Sequence, residues 1–215
     1  MSADVRQPAM PFTSLEQQSR AATLGMWIFL ATELMFFGPL FFGYTYGRLQ
    51  FPEGWAAASR HTEVMLGTLN TALLLTSSAL MAAAVAARKA DANRAARVLL
   101  YLTAALGVAF LAVKGTEYRH EWQEHLVPGL RFAFPEGHAG AAELFYYLYF
   151  AMTGLHALHL TIGIVIVLVF ALALRGGRRD FAAPTRLEIA GLYWHFVDVI
   201  WIFLYPLLYL VGRAT

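Results

Sequence analysis

The sequence predicts an all-α protein, a polytopic transmembrane bundle of five helices. Three observations carry that prediction. The 215-residue chain is 59% hydrophobic and only 14% charged, with a mean hydropathy of +0.53, whereas a soluble domain carries about a quarter charged residues. Five apolar runs reach or approach the ~20 residues that a membrane helix requires. The segments between them are short, polar and rich in Gly, Pro and Arg. An ordinary water-soluble domain is excluded, and so is disorder, which needs few aromatics and much charge. A β-barrel needs alternating strands of roughly ten residues. The runs here are apolar on all sides and longer, and lipid then leaves only helices to satisfy the backbone. The absence of cysteine excludes disulfides, thiolate metal sites, iron–sulfur clusters and cysteine nucleophiles.

The elements follow in order. Residues 1–22 form a polar tail without the charged–apolar–cleavage pattern of a removable signal, and 23–212 form one transmembrane domain. The first helix, about 23–46, carries Glu33 as its lone charge and should kink at Gly38-Pro39. The second, about 64–87, is uncharged, and Thr68, Asn70, Thr71, Thr76, Ser77 and Ser78 suit it to hydrogen-bonded packing. The third, about 98–118, runs through Lys114 and Glu117. The fourth, about 144–174, holds His156 and His159, and its Gly154 and Gly163, with Ala151 and Ala157, permit close helix approach. The fifth, about 187–212, holds His195 and Asp198 and should kink at Pro206. The linkers 47–63, 88–97, 119–143 and 175–186 are each too short for a separate domain.

Lys and Arg set the expected orientation. The tail and the second and fourth linkers carry ten, against six on the opposite side when Lys114 is counted there. The positive-inside rule puts the N-terminus in the cytoplasm and the C-terminus outside.

At ~1.5 Å rise per residue, Glu33 lies about 15 Å from the inner edge, and His195 and Asp198 about 12 and 16 Å. His156 and His159 lie roughly 18 and 22 Å from the outer edge, so all five groups fall near the middle of a ~30 Å layer. Polar groups at that depth cost enough to demand partners on other helices. His156 and His159, and likewise His195 and Asp198, are spaced i, i+3 and share a helix face. Asp198 is suited to accept from His195 or from a neighbouring helix, and Glu33 to act as a neutral donor. Two readings follow: a hydrogen-bonded clamp, or a proton or substrate path through a small transporter.

Axial haem ligation by His195 with His156 or His159 is disfavoured. The latter two are too close in sequence to flank a haem between separate helices, and His195 has a carboxylate nearby. Glu117-Tyr-Arg-His120 matches the Glu-x-x-His of a di-iron site once, at the outer edge, and a second copy is lacking. Lys114 and Glu117 are accordingly read as an outer-edge motif, an interfacial ion-pair cluster with Arg119. His120, His125 and His138 fall in a solvated loop with no assigned role. No metal site is expected in the chain.

Four motifs then look familiar together. The run Tyr193-Trp-His-Phe-Val-Asp-Val-Ile-Trp201 strongly resembles the terminal helix of subunit III of the haem–copper respiratory oxidases. Thr153-Gly-Leu-His-Ala-Leu-His-Leu-Thr-Ile-Gly163, Ala31-Thr-Glu-Leu-Met-Phe-Phe-Gly38 and Lys114-Gly-Thr-Glu-Tyr118 are similar to further landmarks of that family, in the right order. With five spans rather than seven, the chain resembles the short bacterial form. The resemblance implies a non-redox accessory subunit of the cytochrome c oxidase type in a bacterial cytoplasmic membrane. Such a subunit packs chiefly against subunit I, with subunit II in the same complex, binds phospholipid and supports assembly and proton uptake. It holds no cofactor itself, and haem and copper belong to partner subunits. A quinol oxidase subunit III and an accessory subunit of a nitric oxide reductase are the neighbouring alternatives. Nucleic acid is not an expected partner.

Overall fold

A computed structural model describes residues 10–129, 131–178 and 181–213. The described residues are all helical apart from turns and loops, with no strand. Six α-helices follow one another: α1 (Leu15–Gln50), α2 (Pro52–Arg60), α3 (Val64–Lys89), α4 (Asn93–Gln123), α5 (Ala139–Arg175) and α6 (Pro184–Tyr205). A π-helical turn, Pro206–Leu210, and a 3-10 turn, Val211–Arg213, continue α6. Five of these segments are long and apolar enough to cross a membrane: α1, α3, α4, α5 and α6 with its extension.

α1 begins at Leu15, earlier than the apolar run suggests, because Ser14 caps it. The Ser14 hydroxyl accepts from the Gln17 amide at 3.1 Å, and the Gln17 side chain accepts from the Thr13 amide at 2.9 Å. The first bond satisfies an amide that the first turn leaves free, and the second ties the residue before the cap to that turn. The helix assignment runs unbroken through Pro39. At Pro206 the winding itself changes from α to π, since proline offers no amide to the Ile202 carbonyl. The hydroxyls of Tyr44 and Ser59 donate to the carbonyls of Leu207 and Leu208 in that altered turn.

The first linker is a structured element, unlike the loop its Pro, Gly and Arg content suggests. α2 starts with Pro52 at its first position, where a missing amide is harmless. It buries Trp55 edge-on against Phe145 of α5, with ring centroids 5.9 Å apart. Gly47 makes room for that indole: a Cβ there would come within 2.4 Å of the Trp55 ring.

α3 and α4 form an antiparallel hairpin through Ala90–Ala92, with Asp91 in the left-handed region (φ 55°). The buried residues of α3 are Gly67, Asn70, Leu74, Ser77, Met81, Ala84 and Arg88. On α4 the stripe runs through Ala96, Leu100, Thr103, Gly107, Phe110, Lys114, Glu117 and Glu121. Both stripes alternate steps of three and four, the 3.5-residue repeat of knobs-into-holes packing. α4 also packs on α5, α5 on α6, and α6 on α3, which closes a four-helix ring. α1 leans on this ring at the α5–α6 edge. It touches through a narrow seam (Leu30, Phe37, Tyr44 and Gly47) and leaves Trp27, Leu34, Met35, Phe36 and Phe42 exposed.

Candidate functional site: the polar interior

The five midplane groups do not converge. The structure distributes them over three separate places in the bundle.

Glu33 and His159 join α1 to α5, with Oε2 and Nε2 2.9 Å apart. The other ring nitrogen, Nδ1, lies 2.8 Å from the Leu155 carbonyl. A carbonyl only accepts, so Nδ1 carries a hydrogen and donates. One further proton then serves the Nε2···Oε2 contact, and whichever group holds it, the pair is neutral as a whole. Tyr193 of α6 donates to the His159 carbonyl at 3.0 Å, so three helices meet at this point.

His195 bonds to α3 rather than to its own neighbour. Its Nδ1 is 2.7 Å from the Ser78 hydroxyl, while Asp198 Oδ2 stands 4.0 Å away, beyond hydrogen-bond range. The expected His195–Asp198 hydrogen bond is therefore replaced by a bond across the helix interface. Ser78 also adjoins the Asp198 carboxyl. Among the described residues, neither Asp198 oxygen has a hydrogen-bond partner. His195 closes a ladder in which α3 hydroxyls meet α6 aromatics. Thr68 meets the Tyr205 hydroxyl at 2.6 Å, Thr71 accepts from Trp201 at 3.0 Å, and Ser77 accepts from Trp194 at 3.2 Å.

His156 shares its helix with His159 but faces elsewhere. It is fully enclosed by the rings of Phe110 and Trp201, with centroids at 5.4 and 5.1 Å, and neither ring nitrogen has a partner among the described residues.

Lys114 and Glu117 lie inside the bundle, 3% and 1% exposed, and not in a surface cluster with the exposed Arg119. Lys114 Nζ donates to Glu117 Oε2 at 3.0 Å and to the hydroxyls of Tyr149 and Tyr209, each at 2.6 Å. Both tyrosines in turn donate to Glu117 Oε1, at 2.8 and 2.7 Å. The ammonium also lies 4.4 Å from the Tyr149 ring centroid, a favourable cation–π placement. Sequence reasoning missed Tyr149 and Tyr209 as members of this network, and the buried Glu121 beside it. The available signal was periodicity: positions 107, 110, 114, 117 and 121 continue one helix face, so the charges extend the buried stripe.

Among the described residues, no group of three or more His, Asp or Glu gathers as a metal site. Glu117 points inward, while His120 points outward to Glu124 at 3.1 Å and Glu63 at 3.7 Å, so the Glu-x-x-His pair cannot share one ion. His138 opens α5 in the left-handed region and lies 3.5 Å from Glu53; His125 is exposed, also at positive φ.

Five membrane-length helices tied by buried polar pairs define a multi-pass membrane protein, built as a bundle with one loosely held outer helix. Comparison with known proteins places it further. Residues 14–213 match the family model for cytochrome c oxidase subunit III. The cytochrome c oxidase subunit 3 of Thermostichus vulcanus is 36% identical over 191 residues, covering 88% of this chain and 87% of that one. A protein of Aeropyrum pernix named haem–copper oxidase subunit I+III is 30% identical over 193 residues, 86% of this chain and 22% of that longer protein. The quinol oxidase subunit 3 of Bacillus subtilis is 28% identical over 202 residues, covering 94% and 93% of the two chains. The chain belongs to the subunit III family of the haem–copper oxidases.

Proposed function

We propose that this chain is the non-redox subunit III of a proton-pumping oxidase of the cytochrome c type, held in a bacterial cytoplasmic membrane with its N-terminus inside. It packs against subunit I, with subunit II in the same complex, binds phospholipid, and supports assembly and proton uptake while its partners carry the haem and copper. The observation that carries the scaffold role is the outward face of α1. A groove of about 770 Å³ between α1 and α6 is walled by Trp27, Leu34, Phe41, Phe196, Val199 and Phe203, with His195 as its polar member. An imidazole open to hydrocarbon at the midplane is costly, so this wall suits a partner helix better than bare lipid. The relative that carries subunits I and III in one name supports subunit I as that neighbour.

A second groove, of about 710 Å³, supports lipid binding. Met26, Phe29, Ile162, Ile166 and Phe170 line it for acyl chains, and Arg186 stands by as a cation for a headgroup phosphate. Arg186 stands in the first turn of α6, at the end that the charge count turns to the cytoplasm.

The test is affinity purification through a tag on this chain in mild detergent. A co-purifying haem-bearing partner that consumes oxygen with reduced cytochrome c supports the reading, and isolation of the chain alone, without haem absorption, overturns it. Oxygen consumption driven by quinol instead would select the quinol oxidase alternative, which the Bacillus subtilis relative favours.

A further inference from the structure

The Lys114 network is complete in its hydrogen bonds and in its charge. All three ammonium protons are used, on Glu117, Tyr149 and Tyr209. Both tyrosine protons are used on Glu117. One cation faces one carboxylate, and no donor is left over.

Glu121 lies one turn further along α4 and is 5% exposed. Both of its carboxyl oxygens are buried, and neither has a hydrogen-bond partner among the described residues. Tyr149 is close to it, but the single Tyr149 proton goes to Glu117. The charged and titratable groups that face Glu121 come from three elements. α4 supplies Lys114, Glu117, Tyr118 and Glu124, α5 supplies Tyr146 and Tyr149, and the turn after α6 supplies Tyr209. Lys114 is the cation of that set, and it is already paired. The Tyr146 hydroxyl is likewise buried without a partner. Two buried polar groups from different helices thus adjoin a network with nothing to offer them.

An ionised Glu121 would bring this enclosed cluster to a net charge of −1. A buried carboxylate without a compensating cation or donors takes up a proton rather than remain charged. We propose that Glu121 is a proton-binding site, a buried carboxylic acid that holds one exchangeable proton beside Tyr146 and the Lys114–Glu117 pair. A route for exchange is short, because α4 ends two residues later and Trp122, Gln123 and Glu124 are exposed. The site is distinct from Glu33 and His159, which open on the opposite, α1 side of α5. It does not depend on which oxidase the chain serves.

The test is infrared spectroscopy of the whole protein, unlabelled and with carbon-13 glutamate. A protonated carboxyl C=O band that moves with the label and shifts in D2O is expected, and Glu121→Gln removes that component. Glu124→Gln, at an exposed neighbour, leaves it in place. If Glu121→Gln fails to accumulate, Glu121→Asp is read instead and should displace the component. A parent spectrum without such a band, or a band unchanged in the Glu121 variants, overturns the proposal. So does a parent whose Glu121 is ionised and whose thermal stability follows sodium or potassium concentration, since the bound cation is then a metal ion.

Discussion

Replacement of Lys114 by methionine tests the network most directly. The side chain keeps its length and apolar stem but loses its charge and all three donors. Glu117 then retains two tyrosine hydroxyls, at 2.8 and 2.7 Å, as its remaining partners. Tyr149 and Tyr209 each lose the donor they accept from. Breaking a buried ion pair from one side costs about 3–5 kcal/mol, because the surviving charge is left uncompensated. Two remaining charge-assisted bonds offset part of that loss, so about 3 kcal/mol is expected for Lys114→Met. Removing both charges is gentler: Lys114→Met with Glu117→Gln should fall within about 1 kcal/mol of the parent, as buried pairs often do when replaced whole. The two single changes and the double change form a cycle, with stability read by reversible unfolding of the purified chain in mixed detergent. A coupling of about 2 kcal/mol or more is expected from groups in one network. If Lys114→Met costs less than about 0.5 kcal/mol, or the coupling vanishes, the pair is a passive surface-like contact and the reasoning fails.

Three further outcomes follow from the geometry. Glu33→Gln should be tolerated, because an amide can still donate to His159 Nε2, whereas Glu33→Leu leaves the ring nitrogen orphaned and should cost about 1–3 kcal/mol in the same unfolding assay. Gly47→Val should displace Trp55, since even a Cβ sits 2.4 Å from its ring; a loss of about 1–3 kcal/mol, with a change in tryptophan fluorescence, is the expected reading. His195→Ala or Asp198→Ala should lower recovery of the assembled complex, with electron transfer near normal in what remains. Loss of haem reduction in a correctly assembled variant would contradict the non-redox role.

The spans were legible because each is a long apolar run, and lipid leaves a backbone few alternatives. The cap at Ser14 was also written in the sequence, as Ser-x-x-Gln ahead of an apolar stretch, but hydropathy alone starts the helix eight residues late. α2 was not legible: nine residues with Pro, Gly and Arg give no apolar run, and its burial comes from Trp55 finding α5. Depth along a helix is a poor guide to which groups meet. His156 and His159 differ by one turn, yet one faces two aromatic rings and the other faces α1. Partner choice depends on helix rotation and neighbour order, which spacing within one chain segment does not encode. Lys114 was misplaced at the surface for the opposite reason. Charges near a helix end look interfacial by composition, and only the continued 3-4 stripe reveals that they face inward.

That distribution of polar groups bears on the choice between clamp and conduit. A proton or substrate path needs neighbouring polar groups to hand over a load, and the described residues place the midplane groups in separate compartments. Glu33 and His159 share one proton in a closed pair on the α1 side. His195 is bound to Ser78 across the α3–α6 ladder, facing the other groove. His156 lies apart from both, with Phe110 and Trp201 against its ring and neither ring nitrogen hydrogen-bonded among the described residues. Interhelical hydrogen bonds in bilayers average only about 0.6 kcal/mol, so no single rung holds the bundle. Rungs spread over several helix interfaces fix rotation and register all the same, because each bond is lost if one helix turns on its neighbour. The proposed scaffold role, in which α1 and the His195 groove are presented in a fixed geometry, needs that property more than a continuous wire. Replacing Phe110 by serine adds a polar link at His156: it should weaken the fold without creating pH-driven flux in liposomes, and the appearance of flux would favour the transporter reading.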